Sequence, residues 1–214
     1  MQQYKTIIFD LDGTLYDSHG LKKKIIFGSL RNLSLLRQER AARRAIMGKF
    51  YPHGEMEVYN TLFDLIAEKT GRRRIEVSDW FWGKYMPLQA SILKRHFKPV
   101  PGLEAALEEL RSRGCKLAVL SDYGFAKEKM EALGIDPAKF DAVWSSPELG
   151  GLKPCPEVFR KACELLGSAP EETLMVGDRP DTDGGSEAVG VRFLNIKDIM
   201  SKEKPSISGT DLPV

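Results

Sequence analysis

Four residues, Thr6-Ile7-Ile8-Phe9, form an apolar and largely β-branched run, and Asp10-Leu11-Asp12-Gly13-Thr14-Leu15 follows without a spacer. Such a run suits a strand covered on both faces, and the strand is predicted over Ile7–Leu11. Two carboxylates at i and i+2 lie on one side of extended chain. At a strand end they stand within reach of a ligand and of loop amides. Their mutual repulsion favours a bound cation, or a proton on one of them. Asp-Gly also makes an ordinary turn, so the rest of the chain decides between a turn and a site.

Outside residues 16–97, short apolar runs alternate with amphipathic stretches, the signature of βαβ units. Strands are predicted at Lys116–Leu120, Ala142–Trp144, Thr173–Val176 and Val191–Leu194. Helices are predicted at Leu103–Arg113, Ala126–Leu133, Pro156–Leu166 and Ser186–Val189, with Gly114 and Gly134 closing the first two. The expected fold is α/β, a Rossmann-like three-layer core with a mainly parallel sheet. In such sheets ligands bind at the loops that follow the carboxyl ends of the strands.

Residues 16–97 carry helical periodicity without clear strands, broken by turn signals at Gly48, Pro52-His53-Gly54 and Gly71. A small all-helical cap domain is predicted there, entered near Tyr16–Gly20 and left at Pro99 and Pro101. The core then comprises residues 1–15 and 98–214. Charge divides the same way: residues 16–97 hold 16 Lys and Arg against 8 Asp and Glu, a net +8 in a chain whose total is +2, which leaves −6 elsewhere. The small total gives no indication of a nucleic-acid partner.

Three further loops carry chemistry just past predicted strand ends or turns. Ser121-Asp122 follows Leu120, Lys153-Pro154 follows the Gly150-Gly151 turn, and Gly177-Asp178 with Asp181 and Asp183 follows Val176. A hydroxyl, an ammonium and a carboxylate cluster are the parts needed to hold a phosphoryl group beside a divalent metal.

In this order and spacing the four loops resemble the motifs of the haloacid dehalogenase-like hydrolase superfamily, with an insert like the cap of its phosphoglycolate phosphatase and β-phosphoglucomutase branch. The resemblance implies a phosphatase acting on a small phosphorylated molecule. Asp10 would be the nucleophile that forms a phosphoaspartyl intermediate, and Asp12 the general acid and base. Mg²⁺ would be held by an Asp10 carboxylate oxygen, the Asp12 carbonyl and the Asp178 carboxylate. Ser121 would donate to a phosphoryl oxygen, Lys153 would offset the charge shared by Asp10 and phosphate, and Thr14 would brace the first loop. Asp183 would orient groups around the metal, with Asp181 its substitute, because Asp183-Gly184-Gly185 runs one residue shorter than the family pattern. Dehalogenases of the family lack an acid at the position of Asp12, so phosphoryl transfer is the expected chemistry. The alternatives are a sugar-phosphate mutase using the same aspartates and a non-catalytic phosphoacceptor.

The basic residues Lys22–Lys24, Arg37, Arg40, Arg43, Arg44 and Arg72–Arg74 would attract an anionic substrate, although most are expected to coat outer faces. Trp80, Phe81, Trp82 and Tyr85 are expected in the core of the insert, and His19 as the histidine nearest substrate. Cys115, Cys155 and Cys163 cannot all pair within one chain, which fits a reducing cytoplasm. Each is expected as a small buried side chain, and Cys155, two positions from Lys153, is the one to test for reactivity. No apolar run is long enough to span a bilayer, and the stretch beyond Asp198, with Pro205, Gly209 and Pro213, reads as a loosely held tail.

Overall fold

The computed structural model describes residues 4–122, 124–200 and 206–213. Five strands form one parallel sheet: β1 (Thr6–Phe9), β2 (Lys116–Ser121), β3 (Ala142–Ser145), β4 (Thr173–Gly177) and β5 (Arg192–Asn195), in the order β3-β2-β1-β4-β5. Phe9 is level with Val119 on one side and Val176 on the other. The central position of β1 explains its apolar run, since all four of its residues are buried.

The period of two along each strand divides the core between two faces. Ile7, Phe9, Leu117, Val119, Leu174 and Val176 face α6 (Leu103–Ser112) and α7 (Ala126–Leu133). Ile8, Ala118, Leu120 and Met175 face α8 (Pro156–Leu166), which presents Val158, Phe159, Ala162 and Cys163. The result is the expected three-layer α/β architecture.

Between β1 and α6 the chain forms helices: α1 (Leu21–Gly28), α2 (Leu33–Ile46), α3 (Glu55–Thr70), α4 (Arg74–Trp80) and α5 (Met86–His96). Residues Phe81–Tyr85 join α4 to α5 as a π-helical stretch. Trp80, Phe81 and Tyr85 are buried, as expected. Trp82 is half-buried and stacks on Phe125 of the sheet-bearing part, with ring centroids 5.6 Å apart. The two connections of the insert are stitched together. Tyr16 pairs with Pro99 in an isolated antiparallel bridge, and the Val100 N–H donates to the Leu15 carbonyl at 2.9 Å.

Three expectations are corrected. The first strand leaves the ladder at Phe9 rather than Leu11, which puts both aspartates in the loop. The stretch expected as a helix at Ser186–Val189 is a 3₁₀ segment over Asp183–Val189, consistent with Gly184-Gly185, two weak helix formers at its start. The carboxy-terminal stretch is not loose over 206–213: Ile207 and Leu212 are buried, and the Ile207 N–H donates to the Pro101 carbonyl at 3.0 Å. Pro205 lies outside the described residues. Among the described residues, no helix is long and apolar enough to cross a membrane.

Candidate active site

The loop after β1 is fixed by backbone bonds. The Asp10 N–H still donates to the Val176 carbonyl at 2.8 Å, and the Thr14 and Leu15 N–H groups turn back to the Leu11 carbonyl at 3.3 and 3.1 Å. Thr14 is buried, but its hydroxyl makes no hydrogen bond among the described residues, so the backbone does the bracing. Gly13 sits at φ +93°, where an added Cβ would stand 2.6 Å from Asp178 Oδ2. Glycine at this position lets the first and fourth loops touch.

Lys153 joins the loops. Its Nζ lies 2.7 Å from Asp10 Oδ1 and 2.6 Å from Asp183 Oδ1, and its backbone N–H donates to Asp122 Oδ1 at 2.9 Å. Burial lowers the affinity of the Lys153 ammonium for its proton, but Asp10, Asp122 and Asp183 outweigh it and hold the pKa above the usual lysine range. Burial pushes the Asp10 carboxyl up to about 8 against the pull of Lys153, with Asp183 and Asp12 adding to the rise. Burial, with Asp183, also raises Asp178, while Lys197 opposes the rise.

Carboxylate oxygens of Asp10, Asp178 and Asp183 lie within 4.8 Å of one another. Asp178 Oδ1 is buried without a hydrogen-bond partner among the described residues. Converging oxygens, one of them unsatisfied, fit a hard divalent cation. Asp183 is buried and takes its second bond from the Arg179 N–H at 3.1 Å, whereas Asp181 is exposed and paired with the Arg179 guanidinium at 2.6 Å. The acid gathered at the site is therefore Asp183 and not Asp181. An added Cβ at Gly177 would stand 2.2 Å from Asp183 Oδ2, so that glycine makes room for it. Ser121 is fully buried at the carboxyl end of β2, beside the β1 loop.

Asp12 faces a cavity of about 430 Å³ between the sheet loops and the insert, where Asp178 and Arg179 meet Lys22, Arg40, Arg43 and Arg44. Most other basic residues of the insert, including Arg37, Arg72 and Arg73, are exposed elsewhere. Arg43 is buried; its Nε and Nη2 donate to Glu39 Oε1 at 2.8 and 2.6 Å, and its Nη1 donates to the Asp122 carbonyl at 2.8 Å. The insert also meets the third loop, through the Tyr51 N–H donating to Gly150 at 2.7 Å.

Sequence reasoning missed the partners of Asp12. Tyr16 donates its phenolic hydroxyl to Asp12 Oδ1, and Lys129 Nζ lies 3.3 Å from Oδ2. The spacing of Ala126, Lys129, Met130 and Leu133 places Lys129 on the buried face of α7, a signal that was available. One other expectation fails. His19 is exposed and does not line the cavity, where Ser18 does. All three cysteines are buried, as expected, and burial with the Glu157 carboxylate pushes the Cys155 thiol up to about 11, so it is no reactive thiolate.

Residues 4–186 match the family model described as haloacid dehalogenase-like hydrolase. The chain is 29% identical to a glyceraldehyde 3-phosphate phosphatase of Methanothermobacter thermautotrophicus, covering 98% of this chain and 93% of the relative. It is 30% identical to a phosphoglycolate phosphatase of Aquifex aeolicus, covering 86% and 79%. Among solved structures, a predicted phosphoglycolate phosphatase from Haemophilus somnus superposes with a TM-score of 0.61 at 22% identity, covering 92% and 89% of the two chains.

Proposed function

We propose that this chain, which belongs to the haloacid dehalogenase-like hydrolases, hydrolyses small-molecule phosphate monoesters through a phosphoaspartyl intermediate on Asp10. The observation that carries this reading is the Lys153 ammonium bridging Asp10 and Asp183 at the carboxyl edge of the sheet. The phosphatase activities named for the relatives support it.

An Asp10 carboxylate oxygen, the Asp12 carbonyl and the Asp178 carboxylate would hold Mg²⁺. The bound cation would screen the charge of the attacking carboxylate and polarise a phosphoryl oxygen. Asp10 forms its O–P bond as the ester O–P bond breaks, and Asp12 passes its proton to the leaving oxygen. Asp12 then takes a proton from the water that cleaves the acyl phosphate, which frees inorganic phosphate and returns Asp10 to a carboxylate. Lys153 offsets the charge that gathers as phosphate approaches Asp10. Ser121 donates to a phosphoryl oxygen, while Asp183 aims Lys153.

Residues 16–97 act as a lid over residues 1–15 and 98–214, through the contacts of Arg43 and Tyr51. The basic wall of the cavity favours substrates with a second anionic group beside the transferred phosphate. Three free, buried cysteines fit work in the cytoplasm. The test is Mg²⁺-dependent phosphate release from an aryl phosphate, then from a panel spanning phosphoglycolate, phosphoserine, pyrophosphate and glyceraldehyde 3-phosphate. Loss of release in Asp10→Asn is expected. Full activity in that variant rules the mechanism out, and isomerisation of a hexose phosphate without free phosphate points to a mutase instead.

A further inference from the structure

Lys129 presents an unusual combination: a lysine wholly inside the protein, on the apolar face of a core helix, with its ammonium at the acid–base residue. Its side chain is 1% exposed, and its neighbours on that face of α7 are Ala126, Met130 and Leu133. A methionine or leucine would fill such a position without the cost of desolvating an ammonium. Burial lowers the affinity of Lys129 for its proton, and Asp12 is the main group opposing that effect.

The two oxygens of Asp12 are held separately, Oδ2 by Lys129 at 3.3 Å and Oδ1 by the Tyr16 hydroxyl. One donor on each oxygen fixes the rotation of the carboxylate plane. Each oxygen keeps a second lone pair for the substrate side. Lys129 belongs to α7 of the sheet-bearing part, whereas Arg43, the other cation whose charge acts on it, belongs to the insert. The grip on Oδ2 therefore comes from the sheet-bearing part, through a helix that also packs against α5 of the insert.

We infer that Lys129 is a positioning residue for Asp12, and that its influence is confined to the two proton transfers Asp12 makes. This rests on the phosphatase reading above. It separates Lys129 from Lys153, whose charge acts on phosphorus itself and so affects every substrate.

The leaving group distinguishes a positioning role from a structural one. A nitrophenolate departs without a proton, whereas an alkoxide needs one in the transition state. The experiment compares the wild-type chain, Lys129→Met and Lys129→Gln with Mg²⁺, on p-nitrophenyl phosphate and on a simple alkyl phosphate. It reads kcat/KM for both and the acid-stable phosphoenzyme in the steady state. In Lys129→Met, kcat/KM on the alkyl ester is expected to fall about 100-fold or more. On the nitrophenyl ester it is expected to change less than about threefold. Phosphoenzyme should accumulate in the variant, because deprotonation of the attacking water also slows. Lys129→Gln, which keeps a donor, should recover part of the alkyl loss. In an Asp12→Asn background, Lys129→Met should add nothing further.

Equal losses on both esters, or no loss on either, overturn the inference, as does an additive double variant. Absence of wild-type turnover on both esters overturns the phosphatase reading instead. Thermal melts of each variant identify misfolding, and if Lys129→Met does not fold, the leaving-group selectivity of Lys129→Gln decides by the same criteria.

Discussion

Lys153 Nζ lies 2.7 Å from Asp10 Oδ1 in a setting where the lysine side chain is 1% and the aspartate side chain 10% exposed. Asp183, at 2.6 Å on the same ammonium, is 1% exposed. Removing the lysine leaves Asp10 and Asp183 facing each other away from water without the donor they share. Lys153→Met is expected to cost about 3–5 kcal/mol of stability near neutral pH, measured by urea unfolding, and to abolish turnover. An unchanged unfolding midpoint would mean that the ammonium does not hold these loops together.

The raised Asp10 pKa has a sign that can be followed. Its carboxyl titrates near 8 in the metal-free fold against 3.8 ordinarily, so between these values the folded chain keeps a proton that the unfolded chain has lost. Stability from this group therefore falls as pH rises through that window. Asp10→Asn has no such loss. Its melting temperature should gain on that of the wild type from pH 5 to pH 8 without metal, and the gap should close when Mg²⁺ is added. Calorimetry in two buffers of different ionisation enthalpy should show proton release on Mg²⁺ binding at pH 7, absent in Asp10→Asn.

Gly13 and Gly20 form a matched pair. Both have positive φ, +93° and +83°, but a Cβ at Gly13 meets Asp178 whereas one at Gly20 meets nothing within 4 Å. Gly20→Ala should cost about 1 kcal/mol and leave activity intact. Gly13→Ala should carry the same backbone strain and also displace a proposed metal ligand, weakening Mg²⁺ binding at least about tenfold. Equal Mg²⁺ affinity in the two variants would contradict the contact between the first and fourth loops.

Ile207 is buried in the core beside Pro101 and is none of the residues that line the cavity at Asp12. Ile207→Ala should lose about 2–4 kcal/mol in chemical denaturation, with kcat and KM unchanged below the transition. A variant as stable as the parent would show that 206–213 contributes nothing to the fold.

Much of the sheet was legible because its strands are apolar on both faces and bounded by glycine or polar loops; Thr173–Val176 and Ala142–Trp144 each gained a single residue. The order β3-β2-β1-β4-β5 was not, since the runs carry no label saying which neighbour they pair with. Asp10, Asp178 and Lys153 could be named from motif spacing, which follows from loops meeting at one edge of the sheet. Lys129 and Tyr16 could not be tied to Asp12, because their contacts depend on how α7 and the loop from residue 16 pack in space. The choice between Asp181 and Asp183 was open for the same reason: adjacent carboxylates differ only in which way the turn points them.

The bridge between Tyr16 and Pro99 makes the insert a handle with both ends fastened at one spot. The 82 residues between them hang from that clasp and reach back to the sheet-bearing part through Arg43, Tyr51 and Trp82. A graft that keeps the clasp and these three points of contact while supplying different side chains above Asp12 should inherit the sheet intact, so diversification of such a scaffold reduces to the lining between fixed fastenings.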